Sequence, residues 1–106
     1  MTTTPPTIPH SLEAEQSVIA SMWLDPLEVI PRFLSAKLSP ASFHIPAHTI
    51  LCTVTLDMFA ASLPIAIDTV AEELRKRGQL TSVGNFAYLV ELSSSVPTTA
   101  QAAFFI

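Results

Sequence analysis

The run Thr69-Val70-Ala71-Glu72-Glu73-Leu74-Arg75-Lys76-Arg77-Gly78 leaves this chain the least conformational choice. Thr69, three residues ahead of Glu72, reads as a capping box: the hydroxyl accepts one free backbone N–H and the carboxylate accepts another in return. Val70, Ala71 and Leu74 recur at helical spacing and supply a face that can pack. Arg75, Lys76 and Arg77 collect where the helix dipole is negative, and Gly78 offers the left-handed residue that ends a helix. Residues 79–84 turn the chain, and residues 85–92 read as a second apolar helix. Residues 65–97 are therefore expected to form a helical hairpin with no evident catalytic group, which favours a binding module over an enzyme.

With 106 residues there is room for one domain and a core that needs no staples. The single cysteine, Cys52, excludes an internal disulfide and fits a reducing compartment. Charged residues make up 13% of the chain against about 25% in an ordinary soluble domain, while 49% are apolar. Such a balance points to a surface partly covered by other protein. A membrane span does not account for it, because the longest stretch free of Asp, Glu, Lys and Arg, residues 38–56, holds two histidines, two prolines and five hydroxyl side chains. The net charge of −4 and the lack of a basic stripe speak against direct nucleic-acid binding.

Local signals place the other elements. Residues 1–9 are rich in Thr and Pro, with neither the basic start nor the apolar run of a signal peptide, and read as a flexible leader. Ser11 caps a helix running to about Leu24, with Glu13 and Glu15 in its first turn favourable to the dipole. Ala14, Val18, Ile19, Met22 and Trp23 form its apolar face, leaving Glu13, Gln16, Ser17 and Ala20 toward solvent or a partner. Asp25-Pro26 stops it. A short helix is expected over residues 31–37 with Pro31 in its first turn, followed by a turn over residues 39–43. Residues 46–60 carry a β-branched run, yet Ala47, Ile50, Leu51, Val54, Met58 and Phe59 share one helical face, and a lone strand would lack a pairing partner. Helix is the assignment there. Residues 93–99 read as a loop and residues 100–106 as the start of a further helix, so the fold class is all-α: about five short helices plus that last beginning.

Candidate chemistry is sparse. His44, His48 and Cys52 recur every four residues and invite a metal, but Pro46 sets His44 outside the helix, and helical residues eight apart lie about 12 Å from each other. No metal ligand, cofactor site or catalytic residue is assigned, and Cys52 reads as a small buried hydrophobe. No Gly-x-Ser-x-Gly elbow and no Gly-x-x-x-x-Gly-Lys loop occurs, and Gly78 and Gly84 are the only glycines. Arg75, Lys76 and Arg77 could touch phosphate, but at a helix end they read first as a dipole-matched surface. Glu72 and Glu73 point in different directions and form no carboxylate pair. Tyr88 serves either the core, with its hydroxyl at the rim, or an interface. Ala102-Ala103-Phe104-Phe105-Ile106 is an apolar run that asks for a covering neighbour.

Several stretches in one order resemble the N-terminal domain of bacterial replicative DNA helicases of the DnaB type. They are Pro9-His10-Ser11-Leu12-Glu13-Ala14-Glu15-Gln16-Ser17-Val18, then Phe43 with His48, Pro64-Ile65, the run from Thr69 to Leu80, the run from Val83 to Leu92, and Ser95-Val96-Pro97-Thr98. The resemblance covers residues 10–99. It departs where the family's Gly-Gly in the first helix is Ala20-Ser21, where residues 26–31 are lengthened by a residue or two, where the acid after Pro-Ile is Ala66 with Asp68 nearby as a substitute cap, and where His44 and Cys52 stand at positions commonly held by Tyr and an aromatic.

The resemblance implies a small all-α domain, residues 10–99, seated on a RecA-like ATPase ring in the cytoplasm at the nucleoid-associated replisome. In the family it dimerises through a helical hairpin within a hexamer and helps dock the primase C-terminal domain. Residues 100–106 would begin that hairpin and be cut off within it. The chain itself would not be an enzyme: ATP, magnesium and DNA would belong to the motor, and no membrane would be involved. Glu13 and Gln16 on helix one, Tyr88 on the late helix, and Phe104, Phe105 and Ile106 at the dimer seam are the candidate partner-facing residues. Two rival readings are a free-standing helical adaptor of a helicase or primase, and a small hydrolase with a distributed site, which would require a deep polar cleft holding perturbed titratable groups.

Overall fold

The computed structural model describes residues 11–94, and within them the chain is all-α, with five α-helices, two 3-10 turns and no strand. Helix α1 spans Leu12–Leu24, α2 Pro26–Ser35, α3 Pro46–Ala60, α4 Ile67–Lys76 and α5 Asn85–Ser93; the 3-10 turns are Pro40–Ser42 and Thr81–Val83. The leader, the last part of the loop after residue 94 and residues 100–106, with Phe104, Phe105 and Ile106, lie outside the described residues.

Helix α1 is the hub, packing on α2, α3 and α5, while α4 packs on α3 and α5. Ser11 caps it as expected, its Oγ accepting the Ala14 N–H at 3.3 Å. Val18, Ile19 and Met22 are fully buried, joined by Ile30 and Phe33 of α2, Leu51 and Val54 of α3, Val70 and Leu74 of α4, and Leu89 and Leu92 of α5. Because three helices surround α1, Ala20 and Ser21 are buried too, so Ala20 does not face solvent as its place on the helical wheel predicted. Among the polar side chains of the core, the Trp23 indole N–H donates to Thr55 Oγ1 at 3.0 Å, and the Thr55 hydroxyl donates to the Leu51 carbonyl at 2.7 Å.

Two helix starts differ from expectation. Helix α2 begins at Pro26, not Pro31: Asp25 is its N-cap residue, Pro26 fills the first helical position, and Pro31 sits inside. Pro31 there withholds only the amide that the Leu27 carbonyl would accept, on the exposed side of the first turn, and its ring stands in solvent. Helix α4 begins at Ile67 after Ala66, so Thr69 is the third helical residue and not the cap. The Thr69 hydroxyl accepts the Ala66 N–H at 2.9 Å, the return half of a capping box. Ala66 has no acceptor for the forward half, and Asp68 Oδ1 instead accepts the Thr69 N–H at 3.1 Å. Glu72, free of that duty, pairs with Arg75.

The helix ends share one device. After α2, α3 and α4 the residues Lys37, Ser62 and Gly78 adopt φ of 65°, 59° and 71°, and the next amide returns to a carbonyl five residues back: Leu38 to Phe33, Leu63 to Met58, Gln79 to Leu74. Only Gly78 advertises this stop in the sequence. Helix α3 spans the predicted residues 46–60, and α5 opens at Asn85 as predicted.

Candidate functional site: a buried polar relay reaching the surface

Ile45, the N-cap residue of α3, offers no side-chain acceptor, and Pro46 follows it. The backbone amides just ahead of the helix are answered from α1. Glu15 is 0% exposed, and its carboxylate accepts the His44 N–H at 2.8 Å through Oε2 and the Ile45 N–H at 3.2 Å through Oε1. His48, also 0% exposed, sits one turn into α3 with its Nδ1 2.8 Å from Glu15 Oε1. A carboxylate held against backbone amides at a helix N-terminus, with an imidazole beside it, has its lone pairs answered although it is out of water.

The relay continues outward. His48 Nε2 lies 2.6 Å from the Tyr88 hydroxyl on α5, and the Gln16 side-chain amide donates to the same hydroxyl at 3.2 Å. One directed assignment satisfies every group: His48 carries its proton on Nδ1 and gives it to Glu15, the Tyr88 hydroxyl donates to Nε2, and Gln16 donates to the Tyr88 oxygen. The His48 and Tyr88 rings stack at 6.0 Å, and Phe43 meets the edge of His48 at 6.2 Å. Three helices are thus tied through one buried imidazole.

The order acid, imidazole, hydroxyl invites comparison with nucleophilic triads, which need an activated hydroxyl and an adjacent cleft. Tyr88 is set the other way: burial, helped by the charges of Glu91 and Glu15, outweighs the Gln16 hydrogen bond and raises its pKa above the ordinary tyrosine value. A groove elsewhere, beside the start of α2, is lined by apolar residues and Ser62 and shares no residue with the relay. The hydrolase reading required a polar cleft with perturbed titratable groups, and this groove is neither polar nor lined by a titratable side chain.

Of the predicted partner-facing residues, Glu13 is exposed, Gln16 and Tyr88 are half-buried at the junction of α1 and α5, and Gln16 and Tyr88 are bonded to each other. Tyr88 therefore has its ring over the core and its hydroxyl in the relay. Glu15 was missed: read as a first-turn charge, it is the buried end of the relay. Its register with Ile19 and Met22 on α1, matched by His48 among Leu51, Cys52 and Thr55 on α3, is the signal that an acid and a histidine both fall on core faces. Cys52 is buried, and desolvation pushes its thiol up to about 12. Among the described residues no three His, Cys, Asp or Glu side chains gather as a metal site. Arg75 and Arg77 are occupied, Arg75 by Glu72 and Arg77 by Glu73 and Asp57, each at 3.0 Å in the latter two pairs. No described helix is long and apolar enough to cross a membrane.

The DnaB-like helicase N-terminal domain family model matches residues 7–106. The chain is 37% identical over 93 residues to the replicative DNA helicase DnaB of Buchnera aphidicola subsp. Baizongia pistaciae (strain Bp), covering 88% of this chain and 20% of that protein. It is 35% identical over 97 residues to the replicative DNA helicase DnaB of Geobacillus stearothermophilus, covering 92% and 21%. The fold superposes on the crystal structure of the N-terminal domain of DnaB helicase from Mycobacterium tuberculosis with a TM-score of 0.83 and 38% identity, over 96% of this chain and 70% of that one. The chain spans about a fifth of the length of the curated relatives it matches.

Proposed function

This chain belongs to the DnaB-like helicase N-terminal domain family, and from that premise we propose that it is the assembly and docking domain of a hexameric replicative helicase. Unwinding, with its ATP, magnesium and DNA, belongs to a motor domain of the parent protein. The domain's own work is to bury helix faces against sister subunits and to receive the primase C-terminal domain during replication in the cytoplasm.

The observation that carries the docking reading is the Gln16–Tyr88 bridge across α1 and α5. It brings two half-exposed polar side chains together beside exposed Glu13 and Leu12, and the buried Glu15–His48 pair holds Tyr88 in place from behind. An interface anchor gains when its rotamer is set before the partner arrives, and a tyrosine with its hydroxyl already bonded is such an anchor. Phe104, Phe105 and Ile106 are proposed for the seam between sister subunits, where an uncharged apolar run is covered.

Calorimetric titration of the cognate primase C-terminal domain into this chain and into the full-length protein tests the assignment. Binding is expected, and Tyr88→Ala is expected to weaken it by about tenfold or more, as loss of a central aromatic anchor does, with the helical circular-dichroism signal retained. No heat with either protein sinks the docking reading.

A further inference from the structure

We propose that the buried relay sets the hydrogen-bonding polarity of the rim where α1 meets α5: a second proton on His48 turns the Gln16 amide around, and the rim exchanges an open acceptor for open donors. With one proton on the imidazole, at Nδ1, the Tyr88 hydroxyl donates inward to Nε2 and the Gln16 NH2 donates to the Tyr88 oxygen. No described residue donates to Gln16 Oε1. Ser21 Oγ is the one buried side-chain polar atom without a partner among the described residues, so Gln16 Oε1 is open to water.

The surroundings dictate where a second proton goes. Glu15 is closed to it, because the His44 N–H, the Ile45 N–H and the His48 Nδ1–H all donate to its carboxylate, and a carboxyl O–H would oppose one of them. The lone pair on Nε2 remains. A proton from solvent added there makes an imidazolium beside a carboxylate, so it neutralises the buried acid and leaves no lone charge in the core. Nε2–H then donates to the Tyr88 oxygen 2.6 Å away, and the hydroxyl proton has to turn elsewhere. The Gln16 amide, 3.2 Å from that oxygen, offers Oε1 after about half a turn. Every group is bonded again, and the Gln16 NH2 faces water. Burial raises the Tyr88 pKa, so its hydroxyl keeps its own proton in both forms.

The groups around His48 are compatible with either form. Helix α1 contributes Glu15, with exposed Glu13 two residues earlier, and α5 contributes Tyr88, with Glu91 near enough for its charge to act on that hydroxyl. Neither helix holds a Lys, Arg or further His. Phe43 and the turn Thr81–Val83 are uncharged, and burial pushes the Cys52 thiol, one turn along α3, up to about 12. His44 stands exposed in the loop before α3. Helix α4 is followed by Arg77, which pairs with Asp57 at 3.0 Å, about 14 Å along α3 from His48. Imidazole is the side chain that ordinarily changes charge between about pH 5 and 8, so the rim has two forms across that range. What this does to docking rests on the primase reading; the turn of Gln16 does not.

NMR of the full 106-residue chain between about pH 8 and 5 tests the turn with no partner present, so its failure and that of the primase reading are separate results. The His48 ring and the Gln16 side-chain NH2 are expected to shift with one shared midpoint. Above it, one Gln16 amide proton is protected from exchange relative to free glutamine at the same pH; below it, neither is. Tyr88→Phe, which keeps the ring and removes the hydroxyl, is expected to leave Gln16 constant while His48 titrates. Should that variant lose its fold, the protection of Gln16 in the native chain decides alone. A His48 that keeps one proton until the fold melts overturns the proposal, as does equal protection of Gln16 on both sides of the midpoint. Gln16 following His48 in the Tyr88→Phe protein would make the signal an effect of charge through space, and overturns it too.

Discussion

Replacing Glu15 by glutamine alters the side-chain volume almost not at all and changes one oxygen into a donor, which makes it the sharpest probe of the buried relay. In the native protein the carboxylate accepts from the His44 amide at one oxygen, and at the other from the Ile45 amide and His48 Nδ1. Glutamine can keep its oxygen toward Ile45 and His48, which sets its NH2 against the His44 N–H. The reverse orientation sets the NH2 against Ile45 and forces His48 to move its proton to Nε2, which in turn makes the Tyr88 hydroxyl rotate. The first arrangement is the milder, and it still opposes one buried amide with a donor, at about 1–3 kcal/mol. The two bonds that remain lose charge assistance and about half their strength. Together these give about 3 kcal/mol, a large part of the 5–15 kcal/mol that holds a domain folded, and a fall in Tm of roughly 12–24 °C for a chain of this size. Urea and thermal unfolding followed by circular dichroism measure it. Glu13→Gln, two residues earlier and exposed, is the control and should stay within about 0.5 kcal/mol of the parent. A Glu15→Gln protein as stable as that control would refute the claim that Glu15 acts as the acceptor at the start of α3.

Three further outcomes follow from the same geometry. The unfolded Cys52 thiol ionises near its ordinary 9.0 and the folded one only near about 12, so between those pH values the unfolded chain holds fewer protons and stability falls as pH rises; urea midpoints across that window should drop, and thiol labelling of the native protein should proceed only through unfolding. Gly84→Ala places a Cβ 2.8 Å from the Tyr88 Cβ at a φ of 106°, so it should destabilise by about 2 kcal/mol or more and loosen Tyr88 from His48, seen as a change in the tyrosine near-ultraviolet signal. Gly78→Ala, at a φ of 71° with open space around the new carbon, should lose only the left-handed penalty of about 1 kcal/mol and leave that signal unchanged.

The helices were legible to the extent that their ends are written locally. Ser11, the Pro46 start and the Gly78 stop each act within a turn of their own position, and each lies where the residue pattern places it. Pro31 misled because a proline inside a helix is tolerated when the carbonyl it leaves unmatched stands on the exposed side, a fact about surroundings that no spacing encodes. Ala20 misled for the opposite reason: a wheel assigns one buried face, and α1 has neighbours on three.

The relay was illegible for a deeper reason, and that reason ties stability to the half-exposed rim where α1 meets α5. A helix start without a local cap must find its acceptor somewhere, since buried amides are almost never left unanswered. Ile45-Pro46 is such a start, and the amide of Ile45 itself, with that of His44 before it, is answered from some thirty residues earlier, on another helix. The bare cap was therefore readable as a debt even though its creditor was not. Once Glu15 is drawn inside to answer those amides, its charge needs a further donor; His48 supplies one, and the imidazole's far nitrogen then needs a hydroxyl, which Tyr88 supplies from α5. Each member is dictated by the hydrogen-bonding demand of the one before, so the chain of demands ends only at Gln16, where the relay reaches the half-exposed rim. Tyr88, the side chain we propose to meet a partner, is thereby held by this network one hydrogen bond short of its end, and a change at buried Glu15 should be felt at the rim through Tyr88.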